Sequence, residues 1–206
     1  MLRLIKLRFA GLGKKYWVPV AVLFVLVPLV SYGLYASDPA AAYFFTRQTI
    51  EQGAGLCCFW WLCFALKEDF EGDGNELLYS AMRMGHRRFV CDIATLGWYL
   101  LHVAVLIAAY GLFDRQYISL FATLPLQCVF VWCVCYFVAA LLQNSTGALM
   151  VGFGYCFCGM IIDEPQRSDL FVFGQMDGTK AIIYLAVCGI LLATSALLNK
   201  RPYKNR

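Results

Sequence analysis

The sequence predicts an all-α integral membrane protein: six transmembrane helices, a basic amphipathic helix ahead of them, and a cytoplasmic helix between spans two and three. Three observations carry this. Of 206 residues, 61% are hydrophobic and only 15% charged, far from the roughly 45–50% and 25% of a soluble domain. Six apolar runs approach the roughly 20 residues that a helix needs to cross a bilayer. The basic residues are unevenly divided between alternate loops. The composition excludes a soluble enzyme, an acidic disordered chain and a nucleic-acid-binding module.

Residues 1–15 interleave Leu2, Leu4, Ile5, Leu7, Phe9 and Leu12 with Arg3, Lys6 and Arg8. This pattern suits a basic amphipathic helix on the inner membrane surface, or a charged anchor for the first span. The spans follow at about 17–36, 49–66, 93–113, 117–142, 147–162 and 180–198, and residues 1–206 form one transmembrane domain. The first run is too long for a secretory signal and is expected to be retained. The second carries Glu51 and Gln52 near its start, so its helix can begin further upstream. The fourth is long enough to tilt or project. The fifth is short and rich in Gly, and Ala148 with Gly152 gives a small-xxx-small pair for close helix packing. With the N-terminus inside, thirteen Lys and Arg fall on the inner side and four on the outer, placing both termini in the cytoplasm of a multi-pass cell-membrane protein.

Nine of the ten cysteines fall within spans and Cys91 at the inner end of the third. They read as small apolar fillers, since no CxxC pair is present. His102 is either a proton-relay group or a hydrogen-bonded side chain beside Trp98 and Tyr99. No metal site is expected. Residues 8–15 end in Gly13-Lys14 but lack the Gly and Ser/Thr positions of a phosphate-cradling loop. Asn144-Ser145-Thr146 has sequon form yet falls on the cytoplasmic side.

Residues 67–92 form the one sizeable inner loop and hold six of the thirteen acidic residues. Asp73 can cap a short helix, with Glu76 in the capping-box position. Leu77, Leu78, Ala81 and Met82 would share a face. Acidic residues are repelled by an anionic inner leaflet. A docking knob for a cytoplasmic protein therefore explains this helix better than a surface spacer.

Here the chain resembles the permease subunits of type-2 ABC exporters. Their basic amphipathic helix leads into six spans, and their coupling helix lies between spans two and three. Glu71, Gly72, Asp73, Gly74, Asn75, Glu76, Leu77, Leu78, Tyr79, Ser80 and then Arg87 or Arg88 follow that order. Asn75 stands where Thr is common, Met84-Gly85 replaces a frequent Pro, and Asp92 sits near a usual Lys. The family also has an outer re-entrant or interfacial element after span five. Residues 163–179, with Leu170-Phe171-Val172-Phe173, resemble it; an ordinary loop dipping into the interface is the other reading.

The resemblance implies a transport subunit that works with a second permease chain as homodimer or heterodimer. Separate ABC ATPase subunits, which bind the ATP and Mg, would dock on residues 71–80 and on the inner turn Gln143, Asn144, Ser145 and Thr146. The chain itself would hold no cofactor, metal or catalytic residue. Its partners would be those subunits, membrane lipids and an amphipathic, peptide-like substrate. Glu51 is either solvated at the outer interface or contacts a cationic peptide as it leaves. Two other classes compete. One is a non-catalytic membrane scaffold or immunity protein. The other is an intramembrane enzyme, for which Ser31, Ser119, Ser195, Glu51 and His102 lie at mismatched depths.

Overall fold

The structure, a computed structural model, describes residues 2–38, 41–71, 85–161 and 177–198. Among these residues the chain is all-helical, and five helical stretches are long and apolar enough to cross a membrane: Phe9–Ser37, Ala42–Lys67, Phe89–Phe113, Arg115–Leu142 and Gly178–Leu198. Helices are the expected outcome, because each apolar run must close its backbone hydrogen bonds within itself.

The first helix, α1 (Leu2–Leu12), ends at Gly13, whose φ of 51° is accessible at little cost without a Cβ. Ile5, Phe9 and Leu12 turn inward at helical spacing, whereas Lys6 and Ala10 are exposed. A 3-10 turn, Gly13–Tyr16, leads into α2 (Trp17–Ala21). A π-helical segment, Val22–Leu26, then joins α2 to α3 (Val27–Ser37). Pro28 explains that segment. It has no N–H for the carbonyl of Phe24, and the ladder widens so that Val27 N–H reaches Val22 O.

The second span begins at Ala42, well upstream of the expected residue 49. It runs as α4 (Ala42–Cys58) and α5 (Trp60–Glu71), interrupted at Phe59. Then come α6 (Gly85–Phe113), a 3-10 turn (Arg115–Ser119), α7 (Leu120–Leu142), α8 (Ser145–Ile161) and α9 (Gly178–Leu198). The fifth predicted span corresponds to α8, whose 17 described residues cover about 25 Å at 1.5 Å per residue.

Helix α7 is central, packing against α4, α6, α8 and α9. The core joins Phe59, Trp61, Leu62, Tyr99, Ile107, Leu124, Val131 and Trp132. Gly152 lets α8 approach: a Cβ there would lie 2.7 Å from Cys135 Sγ and 2.9 Å from the Phe59 ring. With the fully buried Ala148, Gly152 forms the small-residue contact read from the sequence. The first and last spans are the least buried, at 22% and 11% of their apolar windows. They therefore present their side chains to whatever surrounds the bundle.

Candidate functional site: buried polar groups and the α7–α8 turn

Two aromatic levels bracket the bundle. At the end that carries α1, Tyr16 stacks on Trp61 with ring centroids 4.9 Å apart, and Phe9 packs edge-on against both. Trp60 and Trp61 donate their indole N–H groups to the carbonyls of Lys15 (3.1 Å) and Tyr16 (3.0 Å), and Trp98 donates to Tyr16 Oη at 2.9 Å. At the opposite end, Tyr35 Oη and Tyr117 Oη share a hydrogen bond of 2.8 Å, and Tyr110 Oη donates to Ser31 Oγ at 2.8 Å. Tyr43 packs on Tyr117 at 5.0 Å. Tyr43 and Trp61 are separated by about 27 Å of helix at 1.5 Å per residue, close to the roughly 30 Å hydrocarbon thickness whose edges attract Tyr and Trp.

Inside the bundle lie polar groups that an apolar core does not need, Glu51 and Gln127 between these levels and Asp92 six residues before Trp98, on the α1 side of them. Glu51 is only 5% exposed and accepts from Arg47 Nε at 3.1 Å across one helical turn. It is therefore not solvated, contrary to one of its two sequence readings. The reason is the early start of α4, which sets Glu51 more than two turns below the helix end. Gln127 on α7 is fully buried, with neither amide atom hydrogen-bonded. Asp92 on α6 is fully buried and Thr95 Oγ1 donates to its backbone carbonyl at 2.6 Å. The sequence reading missed Gln127, and noted Asp92 only as a departure from a family pattern. The available signal was a lone amide inside an apolar run.

The turn between α7 and α8 is built by its own side chains. Gln143 takes φ 51°, and its Nε2 donates to Ala140 O at 2.6 Å. Asn144 Oδ1 accepts from the N–H groups of Thr146 (2.7 Å) and Gly147 (3.2 Å), capping α8. Gln143, Asn144 and Thr146 are exposed, Ser145 is buried, and Leu141 and Leu142 beside them are more than half exposed. The other expected docking element, Gly72 to Ser80, lies outside the described residues, and Glu71 closes α5 just before it. Most of the 163–179 segment is outside them as well.

His102 Nδ1 bonds the Trp98 carbonyl at 2.9 Å, as the Nδ1–H tautomer requires, and its ring meets Trp61 at 5.5 Å. The bond to Trp98 is the contact that the second of its two sequence readings expects. All ten cysteines are free and nine are buried, with Cys158 exposed. Among the described residues, no group of three or more His, Cys, Asp or Glu side chains is arranged to hold a metal.

Fold and site together define a helical, membrane-type protein with polar groups inside its bundle. No protein-family model, curated protein or solved structure matches the chain.

Proposed function

We propose that the chain is the transmembrane subunit of an ATP-driven ABC exporter. In this reading α8 completes a six-span domain in the cell membrane. The α1 end faces the cytoplasm, and the tyrosine end faces outward. Two permease chains form the pathway for an amphipathic, peptide-like substrate. Separate ATPase subunits, carrying ATP and Mg, dock on Glu71 to Ser80 and on Gln143 to Thr146. No chemistry is required of this chain: the ATPases push the docked elements and switch the exposure of the pathway as rigid bodies.

The observation that carries this reading is the α7–α8 turn. Its left-handed Gln143 and the Asn144 cap hold a polar knuckle in one shape, with exposed Leu141 and Leu142 alongside. A rigid, mixed apolar and polar projection can transmit force, and it stands at the same end as the close of α5, where the acidic loop begins. The basic excess on that side supports the cytoplasmic assignment.

The test is ATP-driven movement of a labelled amphipathic peptide into inverted vesicles holding the chain and its ATPase. Glu71→Lys, Glu76→Lys and Leu78→Asp are expected to abolish uptake while the chain stays folded. Undiminished uptake in all three removes the docking assignment, and no uptake with the unaltered chain favours the scaffold reading.

A further inference from the structure

We propose that the turn between α1 and the first span binds an anionic phospholipid, with the headgroup phosphate against Lys14 and Lys15 and an acyl chain along the exposed apolar residues of that span. The site follows from how α1 is used. A basic amphipathic helix on a membrane ordinarily sinks its apolar face among acyl chains. Here that face is taken up by protein: Leu12 is buried, and Phe9 packs edge-on against Tyr16 and Trp61 and meets Trp98 at 6.3 Å. Lys6, Ala10 and Gly11 are left outward, so α1 meets lipid through charge rather than through insertion.

The turn holds two cations in one place. Gly13, at φ 51°, redirects the chain, and Lys14 and Lys15 follow it, both exposed. The backbone beneath them is fixed, because Trp60 and Trp61 bond the carbonyls of Lys15 and Tyr16, and Trp98 bonds Tyr16 Oη. Lys15 Nζ stands 4.6 Å from the centroid of the Phe64 ring. The ring covers one side of the ammonium and leaves N–H donors for an acceptor from outside. No acidic side chain pairs with either lysine among the described residues, and neighbouring like charges without a counterion attract an anion. The level of the turn decides which anion. It lies beside the Tyr16–Trp61 stack, and such aromatic levels mark where headgroups meet hydrocarbon, so the phosphates at hand belong to lipid. Beyond the exposed Trp17, the exposed residues Val18, Val25 and Leu29 continue along the span. From Val18 to Leu29 it covers about 17 Å at 1.5 Å per residue, close to one leaflet of a hydrocarbon core of roughly 30 Å. Phosphatidylglycerol, whose headgroup carries no compensating amine, fits both parts of the site, whereas phosphatidylcholine fits only the apolar part.

The site rests on the chain crossing a bilayer and not on the transport reading, so binding alone tests it. Native mass spectrometry of the full chain, released from an uncharged detergent, counts the lipids retained during titration with phosphatidylglycerol or with phosphatidylcholine of the same acyl chains. One phosphatidylglycerol is expected to bind in preference to phosphatidylcholine. Lys14→Gln with Lys15→Gln should weaken that first binding roughly 30-fold, at about 5-fold per lysine near an anionic surface, and leave phosphatidylcholine binding unchanged. Lys14→Arg with Lys15→Arg keeps both charges and should keep the preference. Lys200→Gln with Lys204→Gln removes the same charge from beyond α9 and should leave the preference intact. Equal binding of the two lipids, a preference that survives Lys14→Gln with Lys15→Gln, or an equal loss in the Lys200 and Lys204 variant overturns the site. If the preference behaves as expected but the unaltered chain supports no vesicle uptake, the lipid site stands and the transport reading falls.

Discussion

The indole N–H of Trp60 donates to the carbonyl of Lys15 at 3.1 Å, a carbonyl that Pro19, four residues on, cannot serve and that the Trp17 N–H reaches at the close of the 3-10 turn. One side chain thus repairs part of the backbone defect of another helix, fixing where the first span begins relative to the second. Trp60→Phe should lower stability by about 1 kcal/mol through the lost bond. In a Pro19→Ala background, where the helix supplies its own donor, the same change should cost less. Thermal unfolding of the four chains in one detergent reads the difference, and equal costs in both backgrounds would contradict the repair.

The glycines of α8 should respond oppositely. Gly152→Ala forces a Cβ against Cys135 Sγ and Phe59 and should cost about 1–3 kcal/mol by overpacking. At Gly154 no atom lies within 4 Å of an added Cβ, so Gly154→Ala should be neutral or stabilising by up to about 1 kcal/mol. Melting temperatures of the two variants decide this.

Gln127 buries an amide whose oxygen and nitrogen both lack partners. Replacing it by an apolar side chain of similar length removes a desolvation cost of about 1–3 kcal/mol. Gln127→Met should therefore raise the melting temperature. A fall would show that the amide is bonded in the working protein, and a coincident loss of transport would place it on the substrate path.

Arg47→Ala removes the Arg47 Nε–Glu51 Oε1 ion pair from a buried carboxylate. Breaking a fully buried pair costs roughly 3–5 kcal/mol, and the partial exposure of Arg47 reduces that through solvent screening. The double variant Arg47→Leu with Glu51→Leu should recover most of the loss. Unfolding measurements on single and double variants give the coupling directly, and additive losses would contradict it.

Cys158 is the one exposed thiol of ten. Brief treatment of the folded chain with a lipid-soluble maleimide should add one label there, and unfolding should expose the other nine. Early labelling at Cys57, Cys58 or Cys128 would contradict the packing around α7.

Much of this fold was legible because an apolar run in a bilayer admits few structures. The third, fourth and sixth spans start within a few residues of the apolar boundary or extend a polar end by regular helix, as at Gly85. The start of the second stood open because Thr46, Arg47, Gln48, Glu51 and Gln52 lower its apolar content; the upstream start that the sequence allowed is the one found, and burial of Thr46 and Glu51 against the bundle keeps it helical. The two prolines of the first span could be read, but not their consequences. Whether Pro28 kinks, ends or widens a helix depends on which neighbours supply bonds, and those come from residues far along the chain. Likewise, the Gln143 turn could be placed between two helices from its position alone. Its rigidity depends on a left-handed residue and on the reach of Asn144, which the order of residues does not announce. Gln127 was legible in principle as a polar residue inside an apolar run; its lack of partners was not.

The most direct test of the central claim is site-specific photo-crosslinking in cells, with Tyr79 or Asn144 replaced in turn by p-benzoylphenylalanine. The account predicts that both positions give adducts with the same Walker-motif ATPase, and that Glu76→Lys abolishes the adduct at residue 79. Adducts with lipid alone at both positions, or with no ATPase at either, would contradict it.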